Sequence, residues 1–137
     1  MIIVKIRMPI KPKNRIELLN AIRNISLETR KEEGCLDNIL FQNLEDENEL
    51  IIIEAWKSKS PLKKHWKTLS FSALLGTKNL LSRPMDVEVN IVAETLGLKE
   101  IEKSRNAKNL KISGKGLKIN KNLNNMSIGK NNEFLKR

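Results

Sequence analysis

The sequence predicts an α+β fold of the ferredoxin-like kind, in the order strand, helix, strand, strand, helix, strand over residues 1–93. Three observations predict it. Short runs rich in β-branched residues alternate with period two, amphipathic stretches with helical period lie between them, and Pro, Gly or polar clusters separate the runs. This order is that of the split βαβ motif, which forms one antiparallel sheet with both helices on one face.

The first strand and the first helix are indicated by clear periodic patterns. The β-branched run Ile2–Met8 predicts a strand with one well-buried face. Asn14 and Glu17 stand at capping-box spacing, and apolar residues then recur at helical spacing as far as Thr29. Gly34 is a suitable stop for this helix.

Two strand candidates, a helical region and a last strand follow. Cys35–Asn43 and Glu49–Trp56 are joined by the polar segment "LEDENE", which predicts a hairpin. Ser58 or Ser60 is expected to cap the next helix, with Pro61 at its first position. A second helical segment, broken near the Gly of "LLGTKN", continues it, and "MDVEVNIV" alternates as the last strand.

The third strand, "LIIIEAW", carries apolar residues on both faces. One face is expected to lie under the helices, so the other also needs a cover. A second copy of the same sheet provides one, and we therefore expect a homodimer packed sheet to sheet.

Composition limits the class of protein. The longest apolar run, Leu50–Ile53, is far short of the roughly 20 residues that a membrane span needs. The N-terminal segment "MIIVKIRMP" is typical of a strand and not of a signal peptide. A single cysteine, Cys35, excludes an internal disulfide and a cysteine-based zinc site. We expect a cytoplasmic protein with no membrane partner and no metal.

The basic charge is concentrated in residues 94–137. Residues 1–93 contain 15 Lys and Arg against 12 Asp and Glu, whereas the remainder contains 11 against 4, within a net charge of +10. We expect this Lys- and Asn-rich tail to be mobile or ordered only by a partner, although residues 96–105 favour a short helix and "NLKISGKGLKI" a hairpin. The lysines of the tail are suited to phosphate contacts, but Phe134 is its only aromatic residue, so base stacking has no candidate. Nucleic-acid binding is therefore the weaker expectation. The alternative is that the lysines reflect a biased composition of the whole chain.

Three segments of the chain resemble the antibiotic biosynthesis monooxygenase family of dimeric α+β barrels, which includes small quinol monooxygenases. They are "EEGCLDNILFQ", "IIIEAWKSKSPLKKH" and "HWKTLSFSALL". In the last, Leu69 and Ser70 stand where the family pattern has Pro and a second His. The resemblance covers residues 1–92 and implies oxidation of a small aromatic, quinol-type molecule by dioxygen without a cofactor. At the positions that the haem-degrading branch uses, this chain has Arg7, His65 and Leu75, which argues against haem degradation.

The chain's single histidine is the leading catalytic candidate. His65 suits a base because its ordinary pKa lies near 6.5, and on a helix it would lie among apolar groups. A histidine on an apolar helical face is also often a packing residue, and both interpretations stay open. The substrate-binding candidates carry the same alternative of a structural role; they are Trp56, Trp66, Phe71, Arg7 and Glu54.

Overall fold

The first 93 residues form the predicted α+β arrangement in a computed structural model, which describes residues 1–108, 110–113 and 116–119. A 3₁₀ turn precedes the first helix, and another follows the third. The strands and helices are β1 (Ile2–Pro9), α1 (Arg15–Thr29), β2 (Cys35–Asn43), β3 (Asp46–Trp56), α2 (Lys59–His65), α3 (Leu69–Gly76) and β4 (Asp86–Ile91).

The four strands form one antiparallel sheet in the order β2-β3-β1-β4. β1 is therefore central, and its Val4 lies opposite Glu54 of β3 on one side and Val89 of β4 on the other. This topology confirms the ferredoxin-like prediction.

The two faces of the sheet differ in burial. Alternate residues of β1 and β3 are buried beneath the helices, which supply Leu18, Ile22, Leu62 and Leu74 to the same core. On the opposite face Ile39 and Phe41 are 40% and 46% exposed. The strand members of the core are Ile2, Val4, Ile6, Met8, Leu50, Ile52 and Trp56.

Details at the ends of elements differ from the sequence-based expectations. Asn14 and Ser58 stand at helix N-caps, but neither side chain makes a capping hydrogen bond. β3 begins at Asp46, because its pairing with Asn43 continues the hairpin into the polar segment. α2 begins at Lys59, so Pro61 is its third residue and not its first.

Residues Glu94–Arg137 form a second unit. Within it the structure describes α4 (Leu98–Lys108) and an antiparallel pair, β5 (Leu110–Ser113) and β6 (Gly116–Ile119). Of the tail that suggested polyanion binding, residues 109, 114–115 and 120–137, including Phe134, lie outside the described residues, and the mobility of the tail stays a prediction. No helix in the described ranges is both long enough and apolar enough to cross a membrane.

Candidate functional site

His65 is buried beneath α2, the helix that carries it. Only Leu62 and His65 are buried in this seven-residue helix, and their spacing places them on one face. The neighbouring Lys63 and Lys64 are exposed. The helix therefore rests on the sheet through one leucine and one imidazole.

Both ring nitrogens of His65 face carboxylates. Nδ1 lies 2.6 Å from Oε2 of Glu32, in the turn between α1 and β2. Nε2 lies 3.5 Å from Oε2 of Glu54, an inward-facing residue of β3. The side chains of His65 and Glu54 are 2% and 3% exposed, whereas that of Glu32 is 21% exposed. The three groups thus run from the protein surface into its interior.

Two aromatic rings enclose the imidazole. The Trp56 ring centroid lies 4.7 Å from that of His65 at an interplanar angle of 31°, and the Phe71 centroid lies 5.3 Å away with the ring edge-on. Thr68 positions Phe71, because its hydroxyl donates to the carbonyl of His65 at 2.7 Å and accepts from the backbone N–H of Phe71 at 3.2 Å. The start of α3 is therefore tied to the end of α2.

Replacing Thr68 tests this tie. Thr68→Ala removes the capping hydroxyl, and we expect the free energy of unfolding to fall by about 1 kcal/mol. Thr68→Ser retains the hydroxyl and should remain within about 0.5 kcal/mol of the original protein. Urea denaturation followed by circular dichroism measures both values, and equal losses in the two variants would contradict the capping role.

A polar chain supports Glu54 from the side of the sheet. The Ser26 hydroxyl of α1 donates to Oδ1 of Asn38, and Asn38 Nδ2 donates to Oε2 of Glu54 at 3.0 Å. Three nearby buried atoms have no hydrogen bond of good geometry among the described residues: Glu54 Oε1, Trp56 Nε1 and His65 Nε2. Because buried polar atoms are normally paired, this group is suited to a polar ligand.

Burial controls the ionisation of the site. It raises the pKa of Glu54, while the nearby His65 and the N–H groups of Trp56 and Asn38 oppose that rise. Burial also raises the pKa of the Cys35 thiol, and the carboxylates of Glu54 and Glu32 add to this effect. Cys35 therefore remains a protonated thiol, which is a poor nucleophile.

Gly34 fixes the position at which α2 begins. Its φ of +82° is the only positive φ in the described residues. A Cβ at Gly34 would lie 2.4 Å from Cβ of Pro61, and the Gly34 carbonyl accepts a 2.9 Å hydrogen bond from the N–H of Lys57. The turn that carries Glu32 and the helix that carries His65 are thus in direct contact.

The structure brings four of the six sequence candidates together: His65, Trp56, Phe71 and Glu54. Trp66 is 39% exposed and lies away from them, as the 100° rotation per helical residue requires. Arg7 alternates with the buried residues of β1, so it lies on the opposite face of the sheet, where it pairs with Glu49. The charged neighbour of Glu54 is therefore His65 and not Arg7.

The sequence analysis did not select Glu32, Asn38 and Ser26 as site residues. A β-bulge between Cys35 and Asp37 places both Cys35 and Asn38 on the inner face, so simple alternation fails there. The inward-facing Glu54 was the available signal, because a buried carboxylate requires partners. In the described ranges, no group of three or more His, Cys, Asp and Glu side chains has a metal-binding arrangement.

Comparison with known proteins places this arrangement in a family. A family model for antibiotic biosynthesis monooxygenases matches residues 1–75, more than half of the chain. The chain belongs to the antibiotic biosynthesis monooxygenase family. The match includes every member of the site described above, from Ser26 to Phe71.

Individual relatives agree with this family membership. The antibiotic biosynthesis monooxygenase domain is similar to YcnE of Bacillus subtilis strain 168, which is provisionally named a monooxygenase. The two sequences are 33% identical over 88 residues, which cover 64% of this chain and 93% of YcnE. A Methanosarcina mazei crystal structure matches with TM-score 0.63 at 28% identity, over 65% of this chain and 89% of that one. A Deinococcus radiodurans structure provisionally named for this family shares the fold with TM-score 0.67 at 19% identity, over 72% and 98% of the two chains.

Proposed function

We propose that this domain is a cofactor-independent monooxygenase or oxidase that acts on a small aromatic, quinol-type substrate with dioxygen. His65 serves as the base or as the group that holds the substrate anion. Family membership and the monooxygenase name of YcnE support the reaction class. The single observation that carries the proposal is the buried imidazole between two carboxylates and two aromatic rings.

The chemistry requires a substrate that becomes electron-rich when it loses a proton. Breaking its O–H bond transfers the proton to the protein and leaves an aryl oxide, which gives electrons to dioxygen. A quinol loses two protons and two electrons in total, and dioxygen becomes hydrogen peroxide. If an activated CH₂ group is oxygenated instead, one oxygen atom becomes its carbonyl oxygen and the other leaves as water. An apolar, water-poor site favours both reactions.

Access to the buried site requires movement of its helical cover. Trp56, Glu54 and His65 are each at most 3% exposed. α2 is short and buries only Leu62 and His65 of its own residues, so opening of this one helix would give a substrate access to the site. Substrate entry and product release would then set a limit on the turnover rate.

Oxygen uptake with a panel of quinols tests the proposed function. His65→Gln should lower the substrate-dependent rate by about 10²–10⁴-fold, the range that general acid–base catalysis contributes. Lys67→Gln, a change at an exposed position two residues away, should retain the rate of the original protein. The proposal fails if no quinol stimulates uptake by the original protein, or if His65→Gln and Lys67→Gln react equally fast.

We also propose that two copies of the domain associate through the sheet face away from the helices. Its apolar surface includes Ile39, Phe41, Ile51 and Ile53, of which Ile39 and Phe41 are 40% and 46% exposed. This apolar part of the face, on β2 and β3, is suited to a self-complementary interface. The same face holds the Arg7–Glu49 ion pair, which would lie beside the contact.

Charged substitutions on that face test the association. Phe41→Asp with Ile53→Asp should convert the dimer to a monomer, because burying two carboxylates costs several kcal/mol. Leu44→Asp is the matched control, since Leu44 is fully exposed in the hairpin turn. Light scattering on protein eluted from a size-exclusion column gives the molecular mass in solution. A monomeric original protein would exclude this interface.

The alternative function is a ligand-binding or structural dimer without catalysis. The nearly complete burial of His65 and Glu54 favours this alternative, because such networks also occur as fixed parts of a core. Under it, His65→Gln lowers thermal stability while the original protein turns over no quinol. The oxygen-uptake measurement therefore separates the two functions.

A further inference from the structure

The proton balance of the buried cluster extends the proposed function. The short contact between His65 Nδ1 and Glu32 Oε2 indicates a proton on that nitrogen, because a carboxylate oxygen accepts hydrogen bonds and an imidazole N–H donates them. If Nε2 carried no proton, its lone pair would face the lone pairs of Glu54 Oε2 across 3.5 Å. A proton on either His65 Nε2 or Glu54 would remove this repulsion.

The surrounding donors favour the proton on His65. Asn38 donates to Glu54 Oε2, and the Ser26 hydroxyl fixes the Asn38 amide in that orientation. A protonated Nε2 would add a second donor on the same oxygen, while the imidazolium balances the buried negative charge. In this form both N–H groups face Oε2, and Glu54 Oε1 is a buried acceptor that makes no hydrogen bond of good geometry.

We propose that Glu54 is a catalytic residue whose Oε1 removes the hydroxyl proton of the substrate, while Glu32 is a positioning residue that holds His65 as an imidazolium. This inference rests on the proposed function and names the acid–base groups of its site. In the step, the substrate O–H bond breaks, an O–H bond forms at Glu54 Oε1, and the electron pair stays on the substrate oxygen. Glu54 becomes neutral, and the positive His65 stabilises the aryl oxide.

The substrate class follows from the same atoms. Glu54 Oε1 can accept one hydrogen bond, and the Trp56 N–H, which lies close enough to Glu54 to lower its pKa but makes no hydrogen bond of good geometry, can donate one. A single aromatic hydroxyl satisfies both, since it donates as a hydroxyl and accepts through its oxygen. After ionisation, the Trp56 N–H remains a donor to the oxide. A phenolic hydroxyl therefore fits these atoms better than a carboxylate, which Glu54 would repel.

The wild-type protein alone provides the first test, because His65 is the only histidine in the chain. With ¹⁵N-labelled histidine, the imidazole gives one assigned pair of nitrogen signals. We expect both nitrogens to be protonated at pH 7, because each of them faces a carboxylate oxygen. An unprotonated nitrogen at pH 7 would overturn the proposal.

Matched carboxylate variants provide the second test. Glu54→Gln should lower kcat at least about 10²-fold with little change in KM, and should leave one imidazole nitrogen unprotonated at pH 7. Glu32→Gln should give a smaller loss of kcat and a mixture of imidazole tautomers, with recovery in Glu32→Asp. Glu28→Gln removes an exposed carboxylate of α1 and should change neither measurement.

The pH profile gives a third measurement with a defined sign. The groups that face Glu54 are His65, Glu32, Cys35, Asn38 and Trp56, and burial raises the pKa of Glu54 among them. As pH falls through that raised pKa, Glu54 becomes protonated and kcat/KM should fall. The residual activity of Glu54→Gln should lack this acidic limb.

The outcomes separate this inference from the proposed function. Glu54→Gln with a full rate and unchanged nitrogen signals refutes the role of Glu54 even if quinols are oxidised. Absence of quinol oxidation refutes the proposed function, while the nitrogen signals still decide the protonation of the cluster. If Glu54→Gln fails to fold, two other measurements replace it. They are the rate of Glu54→Asp, which should keep part of the wild-type rate, and the nitrogen signals of the wild-type protein.

Discussion

Trp56→Ala is expected to lower the free energy of unfolding by about 3–5 kcal/mol, the range for truncating a fully buried large side chain. The Trp56 side chain is 0% exposed and fills the space between β3 and the imidazole of His65. Its loss removes apolar burial and leaves a cavity beneath α2. Because α2 buries only two of its own residues, the loss should also loosen the helix.

The second tryptophan of the chain supplies the matched control. Trp66 lies at the C-cap of α2 and is 39% exposed, so Trp66→Ala should cost less than about 1 kcal/mol. Urea unfolding followed by circular dichroism is the suitable measurement, since each variant removes one of the two tryptophan fluorophores. Similar losses in the two variants would contradict the placement of Trp56 beneath the helix.

Gly34→Ala is expected to cost about 2 kcal/mol or more for two independent reasons. A non-glycine residue at φ +82° is strained by about 1–2 kcal/mol. The added methyl group would also lie 2.4 Å from Pro61 Cβ, so the turn and the start of α2 must separate. The separation should move His65 relative to Glu32 and lower the proposed oxidation of quinols together with stability.

A double-mutant cycle distinguishes these two reasons. Pro61→Gly removes the atoms that the new methyl group would meet, so it should relieve the steric part of the Gly34→Ala cost and leave the backbone part. We expect a coupling free energy of about 1 kcal/mol. Gly76→Ala is the control, because a Cβ there meets nothing within 4 Å, and its change should be neutral or stabilising. Zero coupling would show that Pro61 does not restrict Gly34.

Much of the fold was predictable because its elements obey local rules. The span of β4 follows from a period-two pattern, and the span of β2 follows from its place between Gly34 and the polar hairpin segment. Helix α1 ends at Thr29 as expected, and the helical region after β3 breaks near Gly76 as expected. Errors occurred at the caps. A cap requires a side-chain hydrogen bond, and its geometry depends on tertiary contacts that neither Asn14 nor Ser58 reveals in the sequence.

The site was predictable only where side-chain direction is periodic. Glu54 and Trp56 share a face of β3, and His65 follows in the next helix, so their convergence could be inferred. The alternation of β1 also places Arg7 on the face of the sheet away from Ile6, and this was sufficient to separate Arg7 from the site. Glu32 lies in a turn without periodicity, so its contact with His65 became visible only in three dimensions.

The central position of β1 has a consequence for synthesis of the chain. Its two partners come much later in the sequence: β3 ends at Trp56 and β4 at Ile91. During translation β1 therefore emerges first and waits with both edges unpaired until most of this unit has left the ribosome. A nascent chain interrupted before Asp86 still exposes one edge of β1, and such an edge is a template for aggregation.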